Sequence, residues 1–128
     1  MLLVGHGSKL PFNKELVEST GMIIADRYPE YIVKCAFMEM DLPSIGQSLE
    51  AFRHEQIDVL IVVPLFLAKG VHILKDIPEL LGLPDSARKG TFLRNGKTIP
   101  MVYADPIGSA PLLADLMVQN AASALELL

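Results

Sequence analysis

The sequence predicts an α/β fold: a doubly wound, flavodoxin-like arrangement of four parallel strands in the order 2-1-3-4, with helices on both faces. Three observations carry this expectation. Short apolar runs alternate with longer amphipathic ones in the order βαβαβαβα, which calls for parallel strands joined by right-handed crossovers. The run Ile57–Val63 (Ile-Asp-Val-Leu-Ile-Val-Val) is β-branched and nearly all apolar, as a strand covered on both faces should be. The chain has 128 residues, 51% hydrophobic and 20% charged, which suits one domain over 1–128 with one substantial core.

The elements follow in order. Met1–Val4 begins the first strand, which Gly5 stops. Asn13 is placed to cap a helix running to Tyr28, with Leu16, Val17, Thr20, Ile23, Ile24 and Tyr28 on one face and Pro29 beyond its end. Tyr31–Met38 reads as the second strand. Pro43 or Ser44 opens a second helix carrying Ile45, Leu49 and Phe52 at helical spacing. Ile57–Val63, closed by Pro64, is the third strand. A helical segment is expected between His72 and Gly82, where Pro78 blurs the start. Pro84–Thr98 is polar and reads as a loop or small hairpin, and Ile99–Ala104 as the fourth strand. Ser109 is expected to cap a last helix with Pro111 in its first turn. Leu112, Leu113, Leu116, Met117, Ala121, Ala124, Leu125 and Leu128 are then available for packing.

Composition removes several classes of function. A net charge of −4 argues against a nucleic-acid binder working through a basic face. The longest apolar stretch, Val59–Ala68, is broken by Pro64 and is too short to cross a bilayer, so no membrane partner is expected. A single cysteine, Cys35, excludes a disulfide framework and a multi-cysteine zinc site; it fits core packing in a reducing compartment. With no signal peptide visible before the first strand, the expected location is cytoplasmic. The mean hydropathy of +0.38 leaves apolar surface for a partner subunit.

The fold places a ligand beyond the carboxyl ends of the strands, at the switch point between strands one and three. The residues there are polar and reactive. Strand one leads into Gly5-His6-Gly7-Ser8-Lys9, strand two into Met38-Glu39-Met40, and strand three through Leu65-Phe66-Leu67-Ala68-Lys69-Gly70-Val71 to His72. Two imidazoles and a carboxylate converging in a cleft make a divalent transition-metal site with open coordination positions. Each also has a plainer reading: His6 as a turn residue bonding its own backbone, His72 as a helix start, Glu39 as a solvated carboxylate. His54, near the end of helix two, reads as a surface residue. Gly5-His6-Gly7-Ser8 lacks the spacing of a P-loop, and Ser8 lacks a nucleophile elbow. A phosphohistidine phosphatase would want arginine where Gly5 stands.

These segments resemble the class II chelatases of tetrapyrrole synthesis, and in particular the short archaeal sirohydrochlorin chelatases. The resemblance rests on Leu3-Val4-Gly5-His6-Gly7-Ser8, Phe37-Met38-Glu39 with Pro43-Ser44-Ile45, Val62-Val63-Pro64-Leu65-Phe66-Leu67, Gly70-Val71-His72 with Asp76-Ile77-Pro78, and Asp105-Pro106-Ile107-Gly108. It implies insertion of Ni²⁺ or Co²⁺ into sirohydrochlorin, on the route to coenzyme F430 or cobalamin. The metal is then a substrate, with no permanently bound cofactor. By the same resemblance His6 and His72 hold the metal, Glu39 is the acidic partner, and the protein works as a homodimer. A planar ring rimmed with carboxylates calls for apolar walls and cations at the mouth. Ser8, Lys9, Leu65, Phe66, Leu67, Lys69, Gly70 and Val71 are the expected substrate contacts. The alternative is a carrier of tetrapyrrole or metal that binds in the same cleft without catalysis.

Overall fold

The computed structural model describes residues Met1–Leu128. Strands β1 (Leu2–Gly5), β2 (Lys34–Phe37) and β3 (Leu60–Pro64) lie parallel, with β1 in the middle. The fourth parallel strand, Lys97–Tyr103, pairs with β3, so the parallel order is the predicted one. The strand count is not. Lys89–Arg94 forms a further strand, β4, antiparallel to Lys97–Tyr103, which becomes β5, and the full order is β2-β1-β3-β5-β4. Its polarity hid it: β4 is an edge strand that needs apolar residues on one face only. The turn chemistry is visible in the sequence, since Asn95-Gly96 stand at φ 47° and 77° and join the strands in two residues.

Alternation along the strands divides the core. Leu2, Val4, Ala36, Leu60, Val62, Met101 and Tyr103 point to one face, where they pack with Ile45 and Phe52 of α2 (Ile45–Phe52) and Ile77 of α3 (Ile77–Leu80). Leu3 and Phe37 point to the other, against Val17 of α1 (Phe12–Arg27). The second face is thinly covered. Ile61 and Val63 are only half-buried, so β3 is not the doubly covered strand its composition predicts. In α1 only Val17 and Gly21 are buried, while Leu16, Ile23 and Tyr28 of the expected inner face are exposed. Gly21 is small because a Cβ there would come within 2.9 Å of the Cys35 sulfur. Burial, and secondarily the Glu18 carboxylate, push the Cys35 thiol up, which suits a packing role.

Helix starts follow local chemistry. Ser44 and Gln47 close a reciprocal capping box on α2, worth about 1 kcal/mol. Asn13 does not cap α1: the helix starts at Phe12 after Pro11, and the Asn13 side chain accepts a hydrogen bond from Gly7 N–H instead. The segment predicted between His72 and Gly82 is a π-helical stretch, His72–Asp76, running into α3, with Pro78 harmlessly in the first turn. The last helix, α4, spans Pro111–Leu125 with Pro111 where expected, but Ala110 rather than Ser109 precedes it. It buries none of its residues.

Candidate metal-handling site

Three strand ends build the site. β1 ends at Gly5, where a Cβ would fall 3.1 Å from the Asn13 side chain and 3.2 Å from the Phe37 ring. Gly7 follows at φ 89°, and a Cβ there would fall into the Glu39 carbonyl oxygen. The loop after β1 therefore lies directly against the loop after β2. Hydrogen bonds from Met38 N–H to Gly5 O (3.0 Å) and from Glu39 N–H to His6 O (3.2 Å) lock the two together. Ser8 N–H donates to Asp41 Oδ2 at 3.0 Å, closing the same junction.

His6 and His72 come together with ring centroids 4.9 Å apart and planes inclined by 64°. The Phe66 ring stands 6.3 Å from His6 and 6.5 Å from His72, edge-on or tilted, and backs the pair. Each imidazole has one nitrogen committed. His6 Nδ1 lies 2.9 Å from Gly7 O, an acceptor only, so this nitrogen carries a proton and Nε2 is the one turned to the site. His72 Nδ1 lies 2.8 Å from Asp76 Oδ2, with the same consequence. The backbone bond read as the plain alternative for His6 is thus present, and it orients the ring for a ligand role. Glu39 Oε1 stands 3.4 Å from His6 Nε2, with the carboxylate more than half exposed.

No three His, Cys, Asp or Glu side chains are arranged to hold an ion among themselves. The arrangement is two imidazoles anchored at Nδ1, with the Glu39 carboxylate beside Nε2 of His6. Such a pair takes a borderline divalent ion loosely and leaves most coordination positions to something else. The pair lies on an open rim, outside all four cavities of the protomer.

The other expected contacts divide. Phe66 is at the pair, and Leu67, Gly70 and Val71 are exposed on the loop that carries His72. Ser8 is half-buried with its Oγ accepting from Leu10 N–H, and Lys9 is exposed. Leu65 turns away, packing on the α1-side core against Leu3, Val17 and Phe37. Lys69 leans to Asp105 (3.9 Å), which Arg88 holds at 2.8 Å. These charges border a 210 Å³ cavity lined by Ile73, Pro78, Arg88 and Tyr103. His54 is exposed and pairs with Glu50, as a surface residue should.

Sequence reasoning missed two supports. Asp76 is four residues beyond His72, a spacing that meets on one helix face, but the proline-interrupted segment gave no firm helix to place it on. Tyr103 donates from its hydroxyl to Ile73 O at 3.0 Å, pinning the first turn after His72 from β5. Burial is the main reason its phenol is pushed up to about 12, with Asp105 raising and Arg88 lowering it.

Fold and site together define a doubly wound α/β protein that presents an open imidazole pair at its switch point. The family is specific: the CbiX family model matches residues 1–124, and the chain belongs to the CbiX family. It is 42% identical over 121 residues to a sirohydrochlorin cobaltochelatase of Methanococcoides burtonii, covering 94% of this chain and 92% of that one. It is likewise 42% identical to the sirohydrochlorin cobaltochelatase of Methanosarcina barkeri over 98% of this chain and 95% of that one. A crystal structure of a CbiX protein of Marinobacter aquaeolei assigned to cobalamin (vitamin B12) biosynthesis superposes with a TM-score of 0.62 at 26% identity, covering 98% and 95% of the two chains.

Proposed function

We propose that this protein is a sirohydrochlorin chelatase, inserting Co²⁺, and by the same donor chemistry Ni²⁺, into the tetrapyrrole. The product would feed cobalamin with cobalt or coenzyme F430 with nickel. One observation carries the reading: two imidazoles with centroids 4.9 Å apart, each held through Nδ1 so that Nε2 is the free donor. The relatives' names support cobalt; imidazole nitrogen itself accepts either ion.

The chemistry balances simply. One M²⁺ enters the ring as two pyrrole N–H protons leave. His6 and His72 hold the partly dehydrated ion, and two protein ligands are few enough to surrender it to four ring nitrogens. Glu39, 3.4 Å from His6 Nε2, takes the first pyrrole proton; the second passes to an imidazole once its Nε2 is free of metal. Phe66, Leu67 and Val71 offer apolar wall, the Ser8 hydroxyl and Gly70 N–H polar contacts, and Lys9 and Lys69 charge for peripheral carboxylates. Exposed ion pairs contribute ~0–1 kcal/mol each, so several must act together.

A large planar ring on an open rim needs a second wall, and exposed apolar surface supports a homodimer of this single domain, 1–128, as its source. No helix is long and apolar enough to cross a membrane. The lone free thiol of Cys35 supports a reducing, cytoplasmic setting.

The test is anaerobic visible spectroscopy of sirohydrochlorin with Co²⁺ or Ni²⁺, with and without protein, beside His6→Ala. Acceleration that needs His6 is the expected result, and the ratio of rates ranks the metals. A bound-ligand spectrum without acceleration for either ion overturns catalysis in favour of the carrier.

A further inference from the structure

The segment that carries His72 also walls a cavity that the metal chemistry leaves unused. Ile73, Leu74 and Pro78 form one side of it, and Ala87 with Tyr103 of β5 the other. Its volume is 210 Å³. That is far more than the ~10–15 Å³ one water needs, and less than the ~300–1,000 Å³ of pockets that enclose a whole small molecule. The space fits one chain of a larger ligand.

Charge at the mouth specifies the end of that chain. Lys69 Nζ and Arg88 Nη1 both approach one oxygen, Asp105 Oδ1, at 3.9 and 2.8 Å. Two cations share a single carboxylate, so one positive charge is left over. The guanidinium is fixed in direction, because Arg88 Nε–H donates to Tyr103 O at 2.9 Å, and its Nη2 donors have no partner. Ser86 closes the rim at φ 64°, a left-handed backbone held by its N–H bond to Leu74 O at 3.2 Å. Residues held this way collect at ligand clamps, and here the turn keeps Arg88 at the cavity mouth.

The cavity is joined to the imidazole pair. Ile73 follows His72 directly in the chain. Lys69 and Asp105 also line an adjoining cavity along Pro106–Ser109. There Ile107 N–H donates to Phe66 O at 2.9 Å and Gly108 N–H to Leu67 O at 2.7 Å. Phe66 is the ring that backs His6 and His72.

We propose that this cavity takes one carboxylate-bearing arm of the tetrapyrrole, its stem against Ile73, Pro78 and Tyr103 and its carboxylate on Arg88 and Lys69 in place of Asp105. An arm seated here sets the rotation of the ring over the metal, which two imidazoles on an open rim leave unset. The inference deepens, and rests on, the chelatase reading above.

The experiment is a pair of charge changes with opposite expected signs, read by absorbance titration of metal-free sirohydrochlorin into the protein. Arg88→Met removes the partner of the arm and should raise the dissociation constant about 5- to 10-fold. Asp105→Asn removes the competing carboxylate and should lower it about 3-fold. Damage to the fold would weaken binding in both, so the opposite signs are the signature. Lys97→Met and Asp58→Asn make the same changes of net charge at the other end of the sheet. They should leave binding nearly unchanged, since salt screens charges a strand length away. In metallation, Arg88→Met should raise KM with kcat nearly unchanged, because the contact is made in the ground and transition states alike. A fall in kcat at constant KM would make Arg88 a support of the His72 segment and overturns the arm. Where the unaltered protein binds the ring and speeds metallation, equal binding in both variants, or weaker binding in both, overturns the arm and leaves the chelatase standing. An unaltered protein that does not bind sirohydrochlorin overturns both. Should a variant fail to fold, phenylglyoxal labelling of the unaltered protein decides. Sirohydrochlorin should protect Arg88 but not Arg27 at the far end of α1, and succinate at the same concentration should protect neither. An Arg88 that sirohydrochlorin leaves unprotected, or that succinate protects as well, overturns the arm.

Discussion

His6 stands on a two-glycine loop fastened almost entirely by backbone, whereas His72 stands on a helical segment fastened by side chains. The His6 ring donates to the carbonyl of its own neighbour Gly7, and the loop beneath it is bonded backbone to backbone with the Glu39 loop. The His72 ring leans on the Asp76 carboxylate one helical turn away, and the turn between them hangs from the Tyr103 hydroxyl. One imidazole is thus oriented by a neutral carbonyl and the other by an anion. The same contrast says where each ring's placement is vulnerable: His6 at a glycine, His72 at an acid and a phenol.

The largest effects should come from the rings themselves. His72→Ala, like His6→Ala, is expected to lower protein-dependent metallation by about 10²–10⁴-fold when initial rates are compared at matched metal. If one variant keeps near-normal rates, the two-donor reading breaks. Next is Gly7→Ala, which forces a side chain into positive φ and into the Glu39 carbonyl. Backbone strain alone costs about 1–3 kcal/mol, so the urea midpoint should fall clearly. The corresponding change at Gly70, which meets nothing within 4 Å, should hardly move it. Equal midpoints would show that the His6 loop is not the rigid member of the pair.

Asp76→Asn keeps the shape but removes the anion behind His72. A loss of about 10–100-fold in metal affinity or rate is expected, with unfolding little changed, read by Co²⁺ titration and metallation kinetics together. The smallest effect is Tyr103→Phe, which strands a buried Ile73 carbonyl and should cost about 1–2 kcal/mol by urea unfolding. It also carries a pH signature. The phenol sits at about 12 in the folded protein and near 10 when unfolded, so its share of stability is complete below 10 and is lost as pH rises from 10 through 12. That part of the alkaline decline should vanish in the phenylalanine variant; an identical decline would mean other groups carry it.

The four parallel strands and their order were legible because each is a short apolar run beside a turn residue, a signal local enough to read from a few positions. His6, Glu39 and His72 were legible as strand-end residues for the same reason: the fold rule converts sequence position into location. Strand β4 was less so, being an edge strand whose polar face masks its alternation. The side that Leu65 takes was not legible, because successive residues after a strand point to opposite sides and only the packing on Leu3, Val17 and Phe37 tells which. Asp76 and Tyr103 needed a π-helical turn and a strand from far along the chain to meet the His72 segment.

What the sequence determined by itself, then, is the alternation that makes a parallel α/β sheet, the short reach from three strand ends to three reactive side chains, and the glycine that one of those loops requires. These are properties of neighbouring residues, fixed by sterics and apolar periodicity. Tertiary structure alone decided how close the two imidazoles come, which loop residues face the rings, and that α4 leaves its own sheet face bare. Those depend on packing and hydrogen bonds between segments far apart in the chain, and no local pattern encodes such partners.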